Sequence, residues 1–131
     1  MSMEHINEIE KVRVYEKIAN PFFEEELDAS VIEIFADHIA TYKEKAGTRE
    51  RYDVEKLCVE SAIIKSFFEV LYSFIRTADT CRKTKDDKKH IVTITYNGFH
   101  KEIFEGATLK GEEELSWKIK TFVLAQQGKE V

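Results

Sequence analysis

The chain predicts an α+β fold: a helical layer built on one long central helix (about 54–81), packed on a β-hairpin (about 90–105), with a further helix at the C-terminus. Three observations carry that expectation. Leu57, Ile64, Leu71 and Ala78 recur every seven residues, the stretch from His90 to Glu105 alternates around Asn97-Gly98, the dipeptide favoured by tight hairpin turns, and GEEELSWKIKTFVLAQQG opens with acids and stops at a glycine. At 131 residues, 43% apolar, with one Pro and five Gly, the chain has the size and composition of a single α+β domain, 1–131, and not of a disordered segment. It carries no internal repeat, low-complexity tract or Ser/Gly-rich linker.

The first segment, residues 3–19, reads in two ways. Ile6, Ile9, Val12 and Ala19 suit one side of a helix, whereas Val12, Val14 and Ile18 alternate around Arg13 as in a strand. Helix is preferred; a strand here would pair with the hairpin. Asn20-Pro21 and the pair Ser30 and Glu33 are helix-start signals. From Val31, the spacing of Ile32, Phe35, Ala36, Ile39, Tyr42 and Ala46 predicts an amphipathic helix, with Lys43 and Lys45 complementing its dipole and Gly47 ending it. Asp53 then caps the long helix. Val54, Phe68 and Ile75 fall on the partner positions of its heptads, Phe67 and Phe74 widen the face, and Ile63 and Val70 lie on the far side. So broad an apolar surface makes this helix the spine of the fold.

The hairpin register follows from a two-residue turn at Asn97-Gly98. Tyr96 faces Phe99, Ile94 faces Lys101, Val92 faces Ile103 and His90 faces Glu105 on the apolar side, which packs on the spine. Thr95 faces His100, Thr93 faces Glu102 and Ile91 faces Phe104 on the other. The last helix turns Leu115, Ile119, Phe122 and Val123 inward and stops at Gly128.

Two strands alone are barely stable in water, and neither strand has Pro or much inward charge to blunt its edge. The sequence therefore predicts a homodimer in which two hairpins pair into a four-stranded antiparallel sheet, with Ile91 and Phe104 closing the seam.

The candidate binding residues come from surface chemistry. His100 and Glu102, with Thr93 and Thr95 opposite, put an imidazole beside a carboxylate, the minimum for acid-base work or polar ligand contact. Mixed polar residues are also ordinary on a hairpin's solvent face. Arg82, Lys83 and Lys85 belong to a basic stretch, residues 82–90, that suits a helix C-terminus and equally an anion, nucleotide or nucleic-acid contact. Trp117 falls off the inner stripe of the last helix, as an interface anchor does.

No catalytic residue is assigned, because the chain has no Gly-rich phosphate loop, nucleophile motif or paired carboxylates at a useful spacing. No metal or cofactor is expected, since Cys and His nowhere fall at ligand spacing. Cys58 and Cys81, roughly 35 Å apart on one helix, are expected as reduced thiols. No apolar run reaches the ~20 residues of a membrane span, and MSMEHINEIEKV lacks a secretion signal, so the expected setting is cytoplasmic. The net charge of −5 argues against a dedicated nucleic-acid binder. The reading is a non-enzymatic protein-interaction module, such as a small inhibitor, immunity-type protein or complex subunit, acting as a homodimer on a protein partner. The alternative is a small-ligand or nucleotide binder, or a modest enzyme, with a pocket at the hairpin seam formed by His100, Glu102 and the 82–90 loop.

Overall fold

Alternation, not helical spacing, decides the path of the first segment. In a computed structural model that describes residues 8–17, 28–77, 90–97, 100–105 and 110–128, Ile9–Lys17 is a strand, β1. It is followed by β2 (Ala29–Ile34), β3 (His38–Glu44), β4 (Arg51–Cys58), α1 (Ser61–Thr77), β5 (His90–Tyr96), β6 (Lys101–Glu105) and α2 (Lys110–Gln126). The strands form a six-stranded sheet of order β4-β3-β2-β1-β5-β6, and every neighbouring pair is antiparallel. The fold mixes helix and strand as expected, but the strands dominate it and the long central helix on a lone hairpin is not its architecture.

The predicted helix over 31–46 is instead the β2–β3 hairpin. Val31, Ile32, Ile34, Ile39, Thr41 and Tyr42 are β-branched or aromatic and suit a pleated surface. Strands in the middle of a sheet are buried on both faces and lose simple alternation, as β2 does: Val31 and Ile34 are both fully buried and point to opposite faces. The chain reverses where the Phe35 N–H donates to the His38 carbonyl, 2.8 Å. Gly47, expected to end a helix, takes a positive φ of 75° in the β3–β4 turn.

The predicted helix over 54–81 also divides. Asp53 is not its cap; it sits at φ 52° where the β3–β4 register shifts, a left-handed position that Asp tolerates. Val54 lies 60% exposed on edge strand β4. The helix begins only at Ser61, after Glu60 accepts hydrogen bonds from the Ile63 and Ile64 amides. Within α1 the heptad holds, for Ile64, Phe68, Leu71 and Ile75 are all buried. Leu57 and Val54 matched that spacing by coincidence. Cys58 is an exposed thiol on β4 and shares no helix with residue 81, so the helical distance argument does not apply; Ala78 and Cys81 lie outside the described residues.

The hairpin exists, one residue out of the predicted register. Val92 pairs with Phe104 and Thr93 with Ile103, and the Tyr96 amide donates to the His100 carbonyl at 2.7 Å. The connection between β5 and β6 is therefore longer than a two-residue loop, and a one-residue slip exchanges every side chain between faces. Phe104 enters the core and Ile103 is left 57% exposed.

The hairpin's missing neighbour belongs to the same chain. β1 pairs with β5 along its length, Arg13 opposite Thr93 and Val14 opposite Val92, and pairs on its other side with β2. Pairing of two hairpins into a four-stranded sheet is thereby overturned, because β5 has no free edge, and the homodimer loses the premise from which it was inferred.

Both helices pack on one face. Val12, Val14, Ile34, Ile39, Val92, Ile94, Tyr96 and Phe104 from the sheet join Ile64, Phe68, Leu71, Ile75, Leu115, Ile119 and Val123 in one core. Stacked Phe67 and Phe122 rings, 4.0 Å between centroids, join the helices, and Lys120 Nζ donates to Glu16 Oε2 at 2.6 Å, tying α2 to β1. The C-terminal helix matches its prediction, including Gly128 at φ 75°. Among the described residues no helix is long and apolar enough to cross a membrane.

Candidate functional site

Strand register determines what the other face of the sheet presents. Reading across it, Lys11, Thr95 and Lys101 form one row and Lys56, Ala40, Glu33, Arg13, Thr93 and Ile103 the next. Tyr42, Val31, Tyr15, Ile91 and Glu105 form a third row, and Arg51, Glu44, Ala29 and Lys17 the last. Neither α1 nor α2 contributes to this face. Among the described side chains it collects six cationic residues against Glu33 and Glu44 by register, in a chain whose net charge is −5.

Two polar contacts organise its centre. Glu33, only 8% exposed, lies 3.7 Å from Lys11 Nζ and 3.4 Å from Arg13 Nε, so one carboxylate serves two cations and a net positive charge remains. The Arg13 guanidinium also lies 5.7 Å over the Tyr15 ring, and that of Arg51 lies 4.2 Å over Tyr42. Ala29, Val31 and Tyr42 are buried on this side without joining the core beneath the helices. Among the described residues the Tyr42 hydroxyl meets no hydrogen-bond partner.

At the corner where β1, β2 and β3 end, this face deepens into a cleft of about 360 Å³ lined by Tyr15, Lys17, Ala29, Glu44 and the turn from Lys45 to Arg49. The turn is held firmly. The Lys45 amide donates to the Glu50 carbonyl at 2.9 Å, and the Lys45 carbonyl accepts from the Thr48 amide at 3.1 Å and from the Thr48 hydroxyl at 3.2 Å. Asp28 anchors it from outside, accepting from the Ala46 amide at 2.9 Å and from the Tyr52 hydroxyl. These bonds, the Tyr52 hydroxyl first and the Ala46 amide second, hold the Asp28 carboxyl below its ordinary value. Lys17, Lys45 and Arg49 are beyond ion-pair distance of every carboxylate among the described residues.

A second polar cluster sits on the helix side. Arg76 Nη2 donates to the Tyr96 hydroxyl at 3.0 Å and to Glu102 Oε1 at 2.6 Å, and the Tyr96 hydroxyl donates to the same carboxylate oxygen at 2.6 Å. Tyr72 meets Tyr96 edge-on, 6.1 Å between centroids. This knot fastens the end of α1 to the β5–β6 hairpin. Burial, followed by the hydrogen bond to Glu102, pushes the Tyr96 phenol well above its ordinary 10.0. The neutral phenol is thus favoured in the folded state, so its contribution is fully present below pH 10 and fades as pH rises from there toward the folded value. Stability measured by denaturant should fall more steeply above about pH 10 in the parent protein than in Tyr96→Phe; equal slopes contradict this.

The structure separates the residues expected to form one site. Glu102 turns to the helix side and is engaged by Arg76 and Tyr96, while Thr93 and Thr95 stand on the opposite face beside Ile103 and Lys101. His100 is exposed at the start of β6, its ring tilted against Tyr96 with 5.7 Å between centroids. Trp117 is 56% exposed on α2. Arg82, Lys83 and Lys85 lie outside the described residues. The sequence marks the cationic face only through parity: Lys11, Arg13 and Lys17 alternate around Tyr15, which gathers them on one side once β1 is a strand. Among the described residues no group of His, Cys, Asp and Glu is gathered to hold a metal ion. No protein-family model matches the chain, and no curated protein or solved structure matches it.

Proposed function

We propose that the protein works by binding and not by catalysis, presenting the cationic side chains on the sheet face opposite α1 and α2 to an acidic surface on a protein partner, as a small inhibitor or complex subunit does. The observation that supports this is the segregation of charge: an acidic chain keeps Lys11, Arg13, Lys17, Arg51, Lys56 and Lys101 on the sheet face opposite α1 and α2. Charge arranged in this way accelerates encounter with a complementary surface and rejects like-charged ones. A cytoplasmic setting belongs to the proposal, since the exposed Cys58 thiol stays reduced there.

The test is titration of the isotope-labelled full chain with a glutamate-rich peptide. Amide shifts in β1, β5 and β6 are expected, weakening between low and physiological salt as screening shortens the reach of the field. The double variant Lys56→Glu, Lys101→Glu should lose several-fold in affinity with its melting temperature unchanged. Shifts confined to α1 and α2, or binding indifferent to salt, refute the reading. The small-ligand alternative no longer rests on His100 and Glu102; what favours it is the cleft beside the β3–β4 turn.

A further inference from the structure

We propose that this cleft is a binding site for a phosphate monoester. The inference rests on the reading above, because the cleft is a corner of the same face. Its volume of about 360 Å³ is at the small end of ligand pockets, room for a phosphorylated side chain or a small phosphorylated molecule but not for a large cofactor. Its charge selects the ligand. Among the described residues, Lys17, Lys45 and Arg49 against Glu44 leave a surplus of two positive charges, which matches a phosphate monoester carrying nearly two negative charges at neutral pH; a single carboxylate would leave a cation unmatched.

The donors come on a fixed frame. Lys17 projects from a paired strand, opposite Ala29, and Lys45 and Arg49 from a turn closed by its own hydrogen bonds and pinned to Asp28. Gly47 and Arg49 line the cleft within that turn, and among the described residues their amides meet no hydrogen-bond partner. Lysine ammonium groups serve phosphate as point charges, and the arginine fork meets two of its oxygens at once. Glu44 opposes the ligand and tempers the site.

The experiment titrates the isotope-labelled full chain with O-phosphoserine, and with a serine-containing acidic peptide in phosphorylated and unphosphorylated forms. Saturable shifts at Lys17 and from Lys45 to Arg49 are expected with both phosphorylated probes. Lys45→Ala and Arg49→Ala should each weaken binding about tenfold, since their backbone atoms and not their side chains build the turn, and Glu44→Gln should tighten it about two- to fivefold. A phosphorylated peptide that binds more tightly than O-phosphoserine places the phosphate on a protein, and equal affinity places it on a small molecule; both support the site. If the peptide binds equally with and without its phosphate, this inference fails and the acidic-partner reading stands. If O-phosphoserine saturates the cleft while neither peptide binds, the cleft stands and the acidic-partner reading fails. Absence of saturable shifts at the turn, or no gain from Glu44→Gln, overturns the proposal.

Discussion

Val14→Asp abolishes folding. Val14 is 1% exposed in the middle of β1, among core residues on the helix-covered face, where the nearby Lys120 is already engaged by Glu16. An unpaired charge there costs about 4 kcal/mol or more, a large share of the roughly 5–15 kcal/mol that keeps an ordinary domain folded. Circular dichroism should show no cooperative thermal transition. The companion Val54→Asp places the same charge on an edge strand where the parent side chain is 60% exposed, and should cost under about 1 kcal/mol. A helical reading of both segments reverses the order, because it puts Val54 on the buried spine and leaves Val14 off the apolar stripe. A folded Val14→Asp beside an unfolded Val54→Asp would refute the sheet.

Phe104→Ala costs about 3–5 kcal/mol and Ile103→Ala under about 1 kcal/mol. The two residues are adjacent, and only register distinguishes them. With Val92 opposite Phe104, the ring is 3% exposed in the core and Ile103 is 57% exposed. With a two-residue turn, Val92 would face Ile103, and the costs would exchange. Thermal melts resolve the difference easily, since each kcal/mol moves the melting temperature of a domain this size by about 3–6 °C. Equal losses, or a greater loss from Ile103→Ala, contradict the observed register.

Legibility followed local chemistry. The inner residues of α2 and the Ile64, Phe68, Leu71, Ile75 stripe of α1 could be read directly, because a surface helix buries one face and its spacing records that. The hairpin was readable from its alternation, but not its register, which depended on turn length. β2 and β3 were hidden by their position. A strand with neighbours on both sides buries Val31 on one face and Ile34 on the other, and the resulting run imitates helical spacing. β4 was disguised because Leu57 and Val54 continue the heptads of α1 by chance. The candidate face suffered in consequence: Lys11, Arg13 and Lys17 share a side only in a strand, and Lys45 and Arg49 approach Lys17 only once the β3–β4 turn has folded back. Lys45 read locally as a partner for a helix dipole.

The functional reading depends on β1 lying between β2 and β5 of its own chain, since only that arrangement gathers Lys11, Arg13 and Lys17 on the sheet face opposite α1 and α2. Interstrand nuclear Overhauser contacts, recorded on a sample mixing isotope-labelled and unlabelled chains, test this directly. The account predicts contacts from Arg13 to both Glu33 and Thr93, all of them within one chain. Helical contacts three residues apart through 9–17, or Arg13–Thr93 contacts found only between labelled and unlabelled copies, would contradict it.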